Sequence, residues 1–339
     1  MKVGVLAGGN SPEYDISLMS AREVVSHAPS GYLIKPIILT KEGKWKIPVN
    51  FTREFEEVLN LREVSTGEAI PLLKELSVIF IAMHGPQGED GKIQGFFEIL
   101  GIPYTGPDVL GASITMSKSK THEILKLHGI KTPEFMVIKK WDYNRDKNIF
   151  LKLIEEKMGF PCVIKPDNQG SSIGTSIPES ANELKEALSD CFKYSDICVC
   201  EKYIGGEEFT CSVLQAKKSD KPVALAVTKI VPKRGKFFEF SVKYEEGATE
   251  ELTPAPISKD LEDKIKEISI KAHEILRAGQ MSRTDIKIFR GEIYVLETNS
   301  IPGLTRYSIY PKAAEYYGIS FEKLIKILVE GALENFQNF

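Results

Sequence analysis

Cysteine is scarce. Cys162, Cys191, Cys198, Cys200 and Cys211 are the five thiols in 339 residues. Their number is odd and no two form a CxxC pair, which excludes a legible disulfide framework or cysteine zinc site. Cys198 and Cys200 fall on one face of an expected strand, so burial is their expected role. Free thiols point to a reducing cytoplasm. Histidine is thin too: His122 and His128 are poorly spaced for one helix face, and no histidine metal site is expected. No apolar run is long enough to span a bilayer, and MKVGVLAGG reads as a strand, not a signal peptide. Charge of one sign is missing as well. With 44 Lys and Arg against 47 Asp and Glu, the net charge is −3 and offers no basic field for nucleic acid. There is no internal repeat and no low-complexity tract. The length allows two or three domains with sizeable cores.

What is present centres on Met281 to Pro311, MSRTDIKIFRGEIYVLETNSIPGLTRYSIYP. Two apolar-rich strands flank Arg290-Gly291, the pattern of a β-hairpin. Alternation puts Arg283 and Asp285 on one face of the first strand and Glu297 and Asn299 on one face of the second. If the faces coincide, a guanidinium, two carboxylates and a carboxamide converge, an oxygen-rich set suited to Mg²⁺. A plain two-residue loop would pair Thr284 with Glu297 and defeat this. The expectation is therefore a three-residue loop, Arg290 to Glu292, or a bulge of equal effect.

Residues 2–7 form an apolar strand ending at Gly8-Gly9, and a helix follows from about Asp15 to His27. This opening suits a nucleotide-binding-like α/β unit, without GxGxxG. Glu13 sits at the carboxyl end of the strand, either as a ligand group or as a charge favouring the helix N-terminus. Strands are expected at 33–39 and 77–83. The second runs into HGPQGEDG, where His84 is either functional or bonded within its loop. Residues 44–75 read as peripheral, and a domain boundary is placed near 108.

Lys118 precedes a helix ending at His128-Gly129, and a strand begins at 134–138. Strand 160–166 ends in Lys165-Pro166 and leads into DNQGSSIG. That loop is no Walker motif. Its backbone N–H groups and the Ser171 and Ser172 hydroxyls, with Lys165 at one end, look like a phosphate cover. A helix over 180–192 is capped by Ser180, and strands follow at 197–203, 208–214 and 223–231. Residues 232–256 are a long polar connection, read as a lid; helices at 258–277 and 320–336 complete the pattern.

Together, HGPQGEDG, IKPDNQGSSIG, EKYIGGEEFT, the Lys243-Tyr244 pair and LETNSIPGLTRYS resemble the ATP-grasp superfamily and, within it, the D-alanine–D-alanine ligases. The likeness covers nearly the whole chain and is weakest at 44–75 and 140–158. Gln169 stands where many relatives carry an acidic residue. The resemblance implies a three-domain α/β ATP-grasp architecture: a Rossmann-like parallel-sheet domain at 1–108, a central subdomain at 109–204, and a catalytic domain at 205–339.

It also implies roles. Lys118, Lys165, Ser172, Glu201, Lys202, Ile204 and Glu208 would hold ATP. Asp285, Glu297 and Asn299 would hold two Mg²⁺ ions, with Mn²⁺ as an alternative. Glu13 would take the ammonium of a first D-alanine, with His84 beside the substrate. Glu13, Ser171 and Tyr244 would form a hydrogen-bonded set, and Lys243 would reach the transferred phosphoryl group. Arg283 and the Gly303 N–H would stabilise an oxyanion. Ser308 and Ile309, with Arg283, would receive the carboxylate of a second D-alanine. The implied protein is a cytoplasmic homodimer serving peptidoglycan synthesis.

Overall fold

The structure is a computed structural model and describes residues 1–232 and 249–337. Its first sheet has the order β3-β2-β1-β4. β1 (Lys2–Gly8) lies between β2 (Leu33–Leu39) and β4 (Val78–Ile81), parallel to both, and β3 (Trp45–Lys46) joins the edge antiparallel. Every residue of β4 is buried, as its unbroken apolar run demands for a strand covered on both faces. Because β1 and β4 are neighbours, the glycine-rich loops at their carboxyl ends are neighbours too. α1 (Tyr14–His27) and α4 (Lys92–Leu100) begin from those loops.

Residues 44–75 are not peripheral. With β3, the helices α2 (Phe55–Leu59) and α3 (Thr66–Leu73) deliver Trp45, Phe55, Val58 and Leu73 to the core. These elements are too short to show a period. The Ser65–Glu68 capping box at the start of α3 was nevertheless readable as S-x-x-E.

α5 (Val109–Met116) and α6 (Lys118–Leu127) lead to a three-stranded antiparallel sheet. Its order is β5 (Phe135–Lys139), β7 (Ile197–Lys202), β6 (Cys162–Pro166). α7 (Lys140–Arg145), α8 (Lys147–Met158) and α9 (Ala181–Tyr194) accompany it, and Ser180 caps α9 as expected. Ile164, Leu184, Leu188, Cys191, Cys198 and Cys200 share its core.

The third sheet is antiparallel, β10-β9-β8-β11-β12. It comprises β8 (Glu207–Leu214), β9 (Val223–Pro232), β10 (Thr249–Leu252), β11 (Met281–Phe289) and β12 (Glu292–Asn299). β10 lies within the 232–256 stretch, where no regular element was expected. α10 (Lys259–Ile275) packs on this sheet. The last helices, α11 (Ile309–Tyr316) and α12 (Phe321–Gln337), send Tyr310, Ala313, Leu324 and Leu328 into the same core as Val5 and Ile37 of the first sheet. Burial of each such side chain contributes about 1.5–3 kcal/mol, so the chain's two ends are firmly joined. No described helix is long and apolar enough to cross a membrane.

The hairpin settles its register by a bulge. Arg290 (φ 52) and Gly291 (φ 78) form a two-residue turn that pairs Phe289 with Glu292. The ladder shifts between Asp285 and Ile286, with Leu296 as the extra residue. Asp285 therefore opposes Glu297, and Arg283 opposes Asn299. Thr284 and Thr298 pair on the other, buried face, 3.2 Å apart.

Candidate active site

Three loops and the third sheet contribute the residues of the site. The first carries Glu13, at the N-cap of α1. Its carboxylate is buried and accepts a hydrogen bond at Oε1 from Ser171 Oγ, in the loop after β6. Ser171 and Ser172 both hold left-handed backbone, φ 48 and 58. Two successive non-glycine residues in that region are strained, which fits a loop shaped for a ligand. Glycine is required around the carboxylate: a Cβ on Gly85 would lie 2.6 Å from Glu13 Oε2, and one on Gly170 would collide with the same atom. Glu13 Oε2 is buried and has no partner among the described residues.

The second loop follows β4. His84 is buried, with Nε2 2.8 Å from Ser20 Oγ and Nδ1 3.6 Å from Glu89 Oε1. His84 thus bonds side chains, not backbone groups of its own loop. Burial pushes the Glu89 carboxyl up to about 7, with His84 opposing the shift and the Glu13 charge adding to it. Ser20 Oγ also accepts from the N–H of Leu304, one residue past Gly303, at 3.5 Å. Asn10 N–H donates to Gln87 Oε1 at 2.7 Å and ties the first two loops together.

The third loop, 167–174, is pinned to α6. Asp167 accepts from Ser117 Oγ at 2.8 Å and from the Ser119 N–H at 2.7 Å. Lys118 Nζ donates to the Gln169 carbonyl at 2.6 Å and lies 3.4 Å from Glu297 Oε2. Lys165 is 2.9 Å from Glu201 Oε2, and His122 Nε2 is 2.9 Å from Glu201 Oε1. Burial resists the charge on Glu201, but Lys165 and His122 outweigh it and draw the carboxyl down to about 2. Burial likewise resists the charge on Lys165, while Glu201 and then Glu297 hold its pKa above the ordinary lysine value.

The third sheet supplies the rest. Asp285 receives Arg283 Nε and Nη2 at 2.8 Å each, and Thr210 Oγ1 at 2.7 Å. Glu208 is 3.1 Å from Lys287 Nζ, its cross-strand partner. Asn299 Oδ1 accepts from the Ile301 N–H at 3.0 Å. Ser308 is the N-cap of α11 but does not cap it; its Oγ is 2.8 Å from Thr305 Oγ1. The start of α11 at Ile309 thus keeps N–H groups without a side-chain cap. Gly303 sits against Ser308, where a Cβ would come within 2.8 Å of Oγ. Lys202 is exposed, 3.7 Å from Glu134, and Ile204 is half-buried in the linker to β8. Lys243 and Tyr244 lie outside the described residues.

Among the described residues, no three His, Cys, Asp or Glu side chains are grouped to hold a metal. The expected set differs in kind: two carboxylates and a carboxamide, all oxygen donors on one face of the hairpin. Asp285 is balanced by Arg283, and Glu297 by Lys118. That donor set fits Mg²⁺, which takes carboxylate oxygens and keeps waters and phosphates for its other positions.

Several neighbours escaped the sequence reading. Ser20, Glu89, His122, Asp167, Thr210 and Lys287 all contact predicted site residues. Two had a signal. His122 lies four residues after Lys118 on α6, hence on its face, and Thr210 shares a strand face with Glu208.

An antiparallel sheet carrying a lysine and a glycine–serine loop faces a second one carrying paired acids; this is the ATP-grasp arrangement. Comparison with known proteins narrows it. A family model described as "D-ala D-ala ligase N-terminus" matches residues 2–107, and one described as "D-ala D-ala ligase C-terminus" matches 124–330. A D-alanine–D-alanine ligase of Leptospira interrogans serovar Lai is 37% identical, covering 98% of this chain and 98% of its own. That of Clostridium acetobutylicum is 35% identical over 97% of each. Among solved structures, the ATP complex of the Bacillus anthracis D-alanine–D-alanine ligase has a TM-score of 0.77 and 29% identity, covering 100% of this chain and 99% of that one. The VanG D-Ala:D-Ser ligase of Enterococcus faecalis has a TM-score of 0.79 and 28% identity, covering 98% and 99%. The chain belongs to the D-alanine–D-alanine ligase family.

Proposed function

We propose that this enzyme joins two molecules of D-alanine at the expense of ATP, giving D-alanyl-D-alanine, ADP and phosphate. The observation that carries the reading is the bond from Ser171 to Glu13, which leaves Glu13 Oε2 buried between two glycines with no partner among the described residues. A buried carboxylate oxygen of this kind is stabilised by an ammonium group, here that of the first D-alanine. His84, oriented by Ser20, would lie beside that substrate.

The γ-phosphoryl group passes to the carboxylate of the first D-alanine and ADP leaves. The amine of the second D-alanine then attacks the acyl carbon, the bond to the phosphate oxygen breaks, and phosphate departs. Lys118, Lys165, Ser172 and the loop N–H groups would cradle the phosphates, with Glu201, Lys202, Ile204 and Glu208 serving the nucleoside. Asp285, Glu297 and Asn299 would hold two Mg²⁺ ions, or Mn²⁺, which offset the phosphate charge. Arg283 and the Gly303 N–H would meet the oxyanion. Ser308, Ile309 and the uncapped start of α11 would receive the second carboxylate. Lys243 and Tyr244 enter on the sequence resemblance alone: Lys243 toward the phosphoryl group, and Tyr244 as a neutral lid residue that does not repel the ammonium of D-alanine. The product would serve peptidoglycan synthesis in the cytoplasm, with the enzyme a homodimer.

The test is phosphate release and product mass with purified protein, ATP, Mg²⁺ and D-alanine, D-serine or D-lactate as the second substrate. D-Alanyl-D-alanine is the expected product. A mixed product made in preference to it would retain the reaction and overturn the second substrate. Release of phosphate with none of them would overturn the reading.

A further inference from the structure

His122 has no assigned role, yet it is completely buried and its Nε2 lies 2.9 Å from Glu201 Oε1. The other carboxylate oxygen faces Lys165 at 2.9 Å. The ring also lies against Phe135, with centroids 5.0 Å apart. Its Nδ1 is buried with no partner among the described residues. Glu201 Oε1 is a carboxylate oxygen and can only accept, so the hydrogen between the two groups lies on Nε2 and His122 donates to Glu201.

We propose that His122 is a positioning residue for nucleobase selection: it and Lys165 clamp Glu201 as an acceptor-only wall that favours a base bearing an exocyclic amine. The proposal rests on the ATP reading above and specifies what that site recognises. Two donors occupy part of the carboxylate's lone-pair capacity and hold its plane, while the remaining capacity can only accept. The carboxyl is kept ionised by the same two partners. An amine, as on C6 of adenine, satisfies this wall. A carbonyl at that position, as in hypoxanthine, sets lone pair against lone pair in a dry site, and discrimination of this kind is strong because the buried group is left unpaired. The location agrees: Glu201 lies near the end of β7, where the chain passes through the 203–206 linker into the third sheet.

The test compares ATP, inosine triphosphate and purine riboside triphosphate, first by equilibrium binding to the wild-type protein and then by steady-state kinetics. Wild-type protein should bind ATP best, purine riboside triphosphate next and inosine triphosphate worst. In His122→Leu the ratio of KM values for inosine triphosphate and ATP should fall about tenfold, the worth of one hydrogen bond to a charged group. The KM for D-alanine should stay unchanged. His122→Gln, which keeps a donor at similar reach, should restore the ratio. A merely structural role would alter Tm without moving that ratio. Equal wild-type binding of ATP and inosine triphosphate overturns the proposal even if both variants misfold. So does a His122→Leu protein that folds and discriminates as the wild type does. Binding of none of the three nucleotides overturns the ATP reading itself, and the proposal with it.

Discussion

Two ionic clusters flank the same cleft and are built on opposite plans. In one, Glu201 is held between Lys165 and His122, with its side chain only 2% exposed. In the other, Asp285 pairs with Arg283 and Glu297 with Lys118, and the Glu297 side chain is 30% exposed. A sealed cluster cannot exchange partners cheaply, because any charge left alone in a dry site is costly. An open cluster can trade a lysine for a metal ion at small cost. The same residue types therefore serve a fixed wall on one side and an exchangeable ligand set on the other.

Breaking each cluster should separate the two plans. Glu297→Ala should lower kcat by on the order of 10²–10³-fold or more, since phosphoryl transfer depends on charge compensation. Its stability should change by about 1 kcal/mol or less, because Glu297 is partly exposed and its partner Lys118 keeps its bond to the Gln169 carbonyl. Phosphate release at saturating Mg²⁺ and a melting curve measure both. Near-normal release would remove Glu297 from the metal set. Lys165→Met should behave differently, costing roughly 3–5 kcal/mol of stability by stranding Glu201. A variant with wild-type Tm would show that water reaches this cluster and that the contrast between the two is false.

The two clusters also differ in how far the sequence reveals them. The open one was legible because it lies on a hairpin, where alternation assigns faces and a forced register exposes the need for a bulge. Arg283, Asp285, Glu297 and Asn299 could be placed together from spacing alone, and the structure opposes them in pairs. The sealed cluster draws on α6, β6 and β7, whose sequence separation carries no period. Lys165 was read singly, from its place beside the glycine–serine loop; Glu201 entered through family resemblance, and His122 not at all. By the same limit the Ser171–Glu13 bond, between residues 158 apart in sequence, was expected from the family resemblance and not from spacing. α2 and α3 were missed because they are too short for a hydrophobic stripe to register. Long strands and capped helices were recovered closely, since period and capping act within a few residues.

A third carboxyl tests the role of a dry site without a cation clamp. Glu89 is buried like Glu201, but its neighbours are a histidine and the like charge of Glu13, so its carboxyl stands near 7 in place of the ordinary 4.5. The unfolded chain gives up this proton near 4.5 and the folded one only near 7. Folding thus favours the protonated form. Its stabilising contribution is fully present below the unfolded value, declines as pH rises toward 7, and is gone above it. The penalty at pH 8 relative to pH 4 is on the order of 1–3 kcal/mol. Glu89→Gln lacks it, so the Tm of that variant relative to wild type should rise between pH 5 and pH 8. A constant difference across that range would mean that Glu89 ionises as an ordinary glutamate.

The smallest expected effect asks whether the open cluster feels its own hairpin turn. Gly291 holds φ 78, and a Cβ there would meet nothing within 4 Å. Gly291→Ala therefore adds no clash, only the left-handed penalty of a substituted residue, roughly 1 kcal/mol. That strain enters a two-residue turn at the far end of the ladder. Between the turn and the acids stands the Leu296 bulge, where the register resets before Asp285 meets Glu297. Beyond it, Asp285 is also held from the other side, since β8 pairs Thr210 with it and bonds its carboxylate. The variant should accordingly melt slightly earlier yet keep its kcat and its Mg²⁺ dependence. If kcat falls or the Mg²⁺ requirement rises in proportion to the lost stability, the bulge does not insulate the acids. The exchangeable cluster would then depend on the whole hairpin and not on its local pairing.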